Sequence, residues 1–196
     1  MAERGPAPDA DVRVVGARTN GLEPVSVAER SLAAGPWQWL GLGAVLVAAV
    51  AADQLTKHVV STDLALDEDV HVLGPFSIHH VQNSGIAFGL FASATALVTL
   101  LTAVAVAWML VFFVRSGSRH PVLPAALGLL IGGSVSNLVD RVRLGHVTDF
   151  LDVSRWPAFN LADTFIVVGV GILLLALVVT DSAAKPPRRP LDVAAR

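Results

Sequence analysis

The chain has 196 residues, of which 54% are hydrophobic and only 15% charged, well below the charged share of about 25% usual in soluble domains. Residues 31–52, 86–114, 121–139 and 164–180 contain no Asp, Glu, Lys or Arg at all, which excludes an ordinary soluble enzyme. The absence of cysteine excludes disulfides, thiolate metal sites, Fe–S clusters and cysteine nucleophiles, and a formal net charge of −2 without a basic patch leaves no footprint for nucleic acid.

Residues 1–35 are rich in Ala, Pro, Glu, Asp and Arg and lack an apolar period. They read as a disordered tail rather than a cleavable signal peptide. A bilayer core about 30 Å thick is crossed by roughly 20 apolar residues in a helix. The first span is expected from about Trp37 to about Val60, started by Pro36 and anchored by Trp37 and Trp39 at an interface. The second lies within Ile86–Val114, a run longer than one crossing. The third runs from about Pro121 to about Val142 and the fourth from about Asn160 to about Thr180. A basic, proline-rich tail covers 181–196.

Arg30, Arg115, Arg119, Lys185, Arg188 and Arg189 border the same ends of the four spans. The excess of Lys and Arg on cytoplasmic loops then puts both tails and the 115–120 turn inside, and segments 61–85 and 143–159 outside. Segment 61–85 carries Asp63, Asp67, Glu68 and Asp69 but no Lys or Arg beyond position 60. Its Val70, Val72, Phe76, Ile78 and Val81 alternate with polar residues around a Gly74-Pro75 turn, which predicts short extracytoplasmic strands. Residues 143–159 are expected to form an outer loop. The fold class is thus a membrane all-α bundle of four transmembrane helices with a small β segment.

Ionisable groups near a bilayer are functional candidates because they are costly there. Asp53 and Lys57 have the i, i+4 spacing of an ion pair. Asn83 precedes the second span, Asn137, Asp140 and Arg141 share one face of the third, Asp149 lies in the outer loop, and Asn160 and Asp163 open the fourth. All fall at the outer end of the bundle, from five separate places in the chain. Gly128, Gly132 and Ser136 recur every four residues on the third helix, with Asp140 continuing the row. Small residues at that spacing let helices approach closely and would turn Asp140 inward.

The acids available for chemistry are Asp53, Asp140, Asp149 and Asp163. Two carboxyls held together share a proton, so one can serve as general base toward water while the other polarises a carbonyl. Asp53 has Lys57 one turn away and Asp140 is next to Arg141, so structural ion pairs are the natural reading there. Asp149 and Asp163 have no basic neighbour within two residues, although Arg155 is within reach of either. Spacing favours this second pair modestly, and Asp163 equally reads as a helix-start acid behind an Asn160 N-cap.

Two other chemistries are weaker. His71, His79 and His80 suggest a metal only superficially, since adjacent strand residues point to opposite faces. A Ser61–Lys57 dyad would have to compete with Asp53 for the amine. A small proton-coupled transporter and a non-catalytic assembly factor are the alternative functions. Transport sites tend to lie near the midplane on repeated or broken helices, and no internal repeat is visible.

The stretches Asp53-Gln-Leu-Thr-Lys57, Asn83-Ser-Gly-Ile-Ala-Phe88, Gly132-Gly-Ser-Val-Ser-Asn-Leu-Val-Asp-Arg141, Gly145-His-Val-Thr-Asp-Phe150 and Phe159-Asn-Leu-Ala-Asp163 resemble, in order, the signature blocks of the lipoprotein signal peptidases (signal peptidase II) over roughly residues 37–180. The resemblance implies a four-span aspartic endopeptidase domain over 36–180 that cuts bacterial prolipoproteins before a diacylglyceryl-modified cysteine. Asp149 and Asp163 would be its catalytic acids, and Asp53, Lys57, Asn83, Asn137, Asp140, Arg141 and Asn160 would hold the fold and line the substrate groove. It implies no metal or organic cofactor, and partners limited to diacylglyceryl-modified signal peptides and membrane lipids. The expected form is a monomer in the bacterial cytoplasmic membrane with its site near the outer face. Ser134 and Ser136 stand where the family usually has Ala and Gly. Both are small, and Ser136 is expected to bond a backbone carbonyl one turn back.

Overall fold

The computed structural model describes residues 33–84, 95–154 and 156–184. In chain order it contains α1 (Pro36–Asp63), β1 (Asp69–Leu73), β2 (Phe76–Asn83), α2 (Thr95–Ser116), α3 (Leu123–Leu144), β3 (Val147–Val153), β4 (Trp156–Phe159) and α4 (Leu161–Ala184). All four helices are long and apolar enough to cross a membrane. The expectations for residues 1–32, for Ile86 to Phe88, for Arg155 and for the tail beyond Ala184 fall outside the described residues.

The helix ends follow from local chemistry. Pro36 opens α1 in the first turn, where its missing N–H costs nothing. Gly145 closes α3 at φ +80°, a left-handed position that glycine takes without strain, and its N–H returns to the Arg141 carbonyl at 3.1 Å.

α3 is the central helix, with twelve buried residues, whereas α2 buries only Phe113 and Ser116. The exposed Leu97, Leu100, Leu101, Val104 and Trp108 of α2 face where lipid would lie. The small-residue row explains the asymmetry. A Cβ on Gly128 would come within 2.8 Å of the Val45 Cβ, and one on Gly132 within 2.9 Å of the Ala49 Cβ. Both glycines therefore seat α1 against α3, and Gly133 similarly admits the Ala162 backbone of α4. Leu42, Phe113, Leu123, Leu127, Leu130 and Ile131 form the apolar core. Trp39 meets Phe113 edge-on at 5.0 Å and ties α1 to α2.

The β segment is larger than the alternation in 61–85 predicts. Residues 147–159, expected as a loop, add two strands, giving an antiparallel sheet in the order β1-β2-β3-β4. Asp149 and Asp152 interrupt the apolar alternation of β3, and Pro157 sits in β4, the edge strand where a proline is tolerated. The β2–β3 register pairs Val81 with Asp149 and Asn83 with Val147. That register places Asn83 diagonally from Asp149 on the same strand pair.

Candidate active site

Three helix ends and the start of β3 converge on one polar cluster. Asp53 and Lys57 come from the last turns of α1, Asn137 and Asp140 from those of α3, Asn160 and Asp163 from the start of α4, and Asp149 from β3. Asp53, Lys57, Asn137, Asp140, Asp149 and Asn160 are all buried. Buried polar groups of this kind persist only when mutually satisfied.

Lys57 is the hub. Its Nζ lies 2.6 Å from Asp53 Oδ2 and 2.8 Å from Asp140 Oδ2, and it donates to Asn137 Oδ1 at 2.8 Å. Three ammonium protons thus meet three acceptors. The i, i+4 pair read from the sequence is present. The Asp140–Arg141 pair is not: Asp140 is held by Lys57 and by Gln54 Nε2 at 2.7 Å. Arg141 instead reaches toward the Asn137 carbonyl at 3.5 Å, and its buried Nε has no hydrogen-bond partner among the described residues. Adjacent helix residues point about 100° apart, so Asp140 turns into the α1–α3 seam while Arg141 lies beside it.

The Lys57 hub connects to the remaining acids through two asparagines. Asn137 Nδ2 donates to Asp163 Oδ1 at 2.8 Å. Asn160 Nδ2 donates to Asp149 Oδ1 at 2.7 Å and to Asn137 Oδ1 at 3.2 Å. Asn160 also caps α4, as its position predicts: its Oδ1 accepts the Asp163 N–H at 2.9 Å, while its own N–H donates to Asp163 Oδ2 at 3.3 Å. Asn160 is therefore bonded to both Asp149 and Asp163. Asn83 Nδ2 completes the shell of Asp149 by donating to Oδ2 at 2.9 Å. All nine residues singled out in the sequence meet in this cluster.

Two members were not anticipated. Gln54 donates to Asp140 and to Ser136 Oγ at 3.0 Å, and Ser136 donates to Asp53 Oδ2 at 2.7 Å rather than to a carbonyl one turn back. Their partners are more than 80 residues distant, so no local spacing signals them. The Ser61 hydroxyl is taken up by the His58 carbonyl at 3.0 Å, and Lys57 turns to its acids, which dismantles the Ser–Lys alternative. His80 contacts the Leu64 carbonyl at 3.0 Å, while His79 approaches Asp152 at 3.4 Å. The acids sit at one end of the helices, unlike a midplane transport site.

Burial pushes the Asp149 carboxyl up to about 6, with the nearby Asp163 charge adding to the rise, while donors from Asn83 and Asn160 and the positive Lys57 oppose it. Its ordinary value is 3.8, so between about pH 4 and pH 6 the folded chain holds a proton that the unfolded chain has lost. Stability from this group is therefore full below pH 4 and declines as pH rises through 6, by about 3 kcal/mol for a shift of about two units. Thermal unfolding in micelles across that window should show a smaller decline for Asp149→Asn than for the parent; an equal decline would refute the assignment.

A family described as signal peptidase (SPase) II matches residues 45–179. The lipoprotein signal peptidase of Symbiobacterium thermophilum is 41% identical over 141 residues, covering 69% of this chain and 92% of the relative. That of Pelotomaculum thermopropionicum is 39% identical over 147 residues, covering 74% and 97%. A bacterial membrane enzyme solved by the in meso method at 2.3 Å superposes with a TM-score of 0.69 at 26% identity, over 74% of this chain and 92% of that one. A family match across most of the four-helix bundle, together with relatives of this identity and coverage, gives one conclusion: the chain belongs to the signal peptidase II family and is a multi-pass membrane peptidase, hence a hydrolase.

Proposed function

We propose that the chain is an aspartic endopeptidase that removes signal peptides from bacterial prolipoproteins, cutting immediately before a diacylglyceryl-modified cysteine, with Asp149 and Asp163 as the catalytic pair. The observation that carries this reading is Asn160, which donates to Asp149 and caps α4 by accepting the Asp163 N–H. Asn160 thereby meets the Asp149 carboxyl through its side chain and the Asp163 carboxyl through its backbone N–H. The relatives are lipoprotein signal peptidases, which supplies the substrate class.

Charge supports the assignment of roles. Lys57 is already ion-paired with Asp53 and Asp140, and among the described residues Arg141 acts on Asp149 and Asp163 through its charge and not through an ion pair, so the two carboxyls share one proton as a pair. The protonated carboxyl donates to the scissile carbonyl oxygen. The ionised one takes a proton from water, whose oxygen bonds to the carbonyl carbon. The tetrahedral adduct then collapses: one carboxyl gives its proton to the leaving amine as the C–N bond breaks, while the other carboxylate takes a proton from a hydroxyl of the adduct, which restores the pair with one shared proton. The α1 and α3 ends and the α4 start lie at the sheet-bearing end, and the Lys and Arg distribution puts that end outside, where water meets the bilayer. On this reading the bond to be cut lies at the interface, the diacylglyceryl chains remain among lipid tails, and both termini are cytoplasmic.

The test uses purified full-length chain in lipid micelles with a precursor peptide carrying diacylglyceryl cysteine, beside the same peptide unmodified. Cleavage of the modified peptide alone, with mass spectrometry placing the new N-terminus at the lipidated cysteine, is the expected result. A folded preparation that cuts neither peptide, or cuts elsewhere, overturns the reading.

A further inference from the structure

We propose that Ser136 is a positioning residue for Asp163, acting through Asp53 and the start of α4; the inference rests on the catalytic reading of Asp163 given above. Ser136 is fully buried on α3, one step beyond Gly128 and Gly132 in the small-residue row. Its hydroxyl is used twice. It donates to Asp53 Oδ2 at 2.7 Å and accepts from Gln54 Nε2 at 3.0 Å.

Asp53, in turn, reaches across to α4. Its Oδ1 accepts the backbone N–H of Ala162 at 2.8 Å. A helix start has four N–H groups without an intrahelical partner. Two successive ones in α4 are taken by side chains: Ala162 by Asp53 from another helix, and Asp163 by Asn160. Asp53 is therefore a cap supplied in trans, and its orientation sets that of the first turn of α4, from which Asp163 projects.

A carboxylate fixed at one oxygen can still swing about its last torsion. Lys57 alone restrains the other oxygen weakly, because an ammonium is a point charge that accepts many directions. The Ser136 hydroxyl adds a second, directional contact on that same oxygen and defines the carboxylate plane. Gln54, bonded to Ser136 and to Asp140, fixes where the hydroxyl hydrogen points by occupying a lone pair of its oxygen. The result is a chain from Gln54 through Ser136 and Asp53 to the backbone beside Asp163, crossing three helices.

Ser136→Ala removes the hydroxyl without orphaning either partner, since Asp53 Oδ2 keeps Lys57 and Gln54 keeps Asp140. In the purified full-length enzyme, kcat for the lipidated peptide should fall roughly tenfold, since a misplacement of about 1 Å costs up to about 100-fold, while KM stays within about twofold. Amide hydrogen exchange over the first turn of α4 should quicken, with membrane abundance unchanged. Ser136→Cys, near-isosteric with a weak donor, should give an intermediate kcat. A parental kcat in Ser136→Ala, or a loss of kcat without faster exchange at Ala162 and Asp163, overturns the proposal. If the parent enzyme itself cuts nothing, the catalytic reading fails, and unaltered exchange in Ser136→Ala would still refute the positioning role on its own.

Discussion

Asp149→Asn and Asp163→Asn, each made alone, are expected to abolish cleavage of a lipidated precursor while the protein accumulates in the membrane at close to the parental level. Removing one partner of a general acid–base pair costs roughly 10²–10⁴-fold in rate, because an amide neither yields nor accepts the proton that the step transfers. The structural cost is far smaller. The new amide keeps one oxygen acceptor, so Asn137 can still donate at position 163, and either Asn83 or Asn160 can still donate at position 149. One donor in each case faces an NH2 group instead, a loss of about 1 kcal/mol per neutral hydrogen bond. At position 149 that loss is offset by no longer burying a carboxylate against its preference. The double variant should be no slower than either single one, since the pair acts as a unit. Precursor processing measured beside membrane abundance decides the matter. Substantial cleavage by either single variant would remove the two-carboxyl mechanism.

The sequence discloses the spans well because the physical signal for them is local: a stretch long enough to cross a bilayer without a charge. Pro36 and the positive-φ Gly145 mark helix ends for equally local reasons. The sheet is only half legible. β1 and β2 are marked by Val70, Val72, Phe76 and Ile78 on either side of Gly74-Pro75, whereas β3 is covered on both faces at its start, so Val147, Thr148, Asp149 and Phe150 are all buried and no alternation survives to be read. The polar cluster shows the same division. The Asp53–Lys57 pair and the Asn160 cap follow from spacings of four and three residues. The true partners of Asp140 do not, because Gln54 lies 86 residues away and only the packing of α1 on α3 brings them together. Adjacency in the chain suggested Arg141 instead, and adjacency is a poor guide on a helix. The small-residue row does predict a close approach to a neighbouring helix, which the structure shows to be α1. It conceals that one of its members, Ser136, carries a hydroxyl with a separate purpose.

Lys57→Met is expected to act on a different quantity, the fold itself. Methionine approximates the length of the lysine stem but brings no charge, so Asp53 and Asp140 would face each other in a buried site without the cation that lies 2.6 and 2.8 Å from them. Asn137 Oδ1 would lose its strongest donor as well. Breaking a buried ion pair by deleting one partner costs roughly 3–5 kcal/mol, because the remaining charge is left uncompensated. That is a large share of the roughly 5–15 kcal/mol that holds a typical domain together. The variant should therefore accumulate poorly and unfold at markedly lower temperature, in contrast to the two dyad substitutions. The cause can be separated from simple loss of packing. Adding Asp140→Asn to Lys57→Met removes one of the stranded carboxylates while leaving Gln54 an oxygen to bond. The double variant should thus recover abundance and thermal stability relative to Lys57→Met alone, a non-additivity that contacting residues show and distant ones do not. If Lys57→Met accumulates and melts like the parent, or if the second substitution deepens the loss, Lys57 is not what neutralises the acids at this end of the bundle.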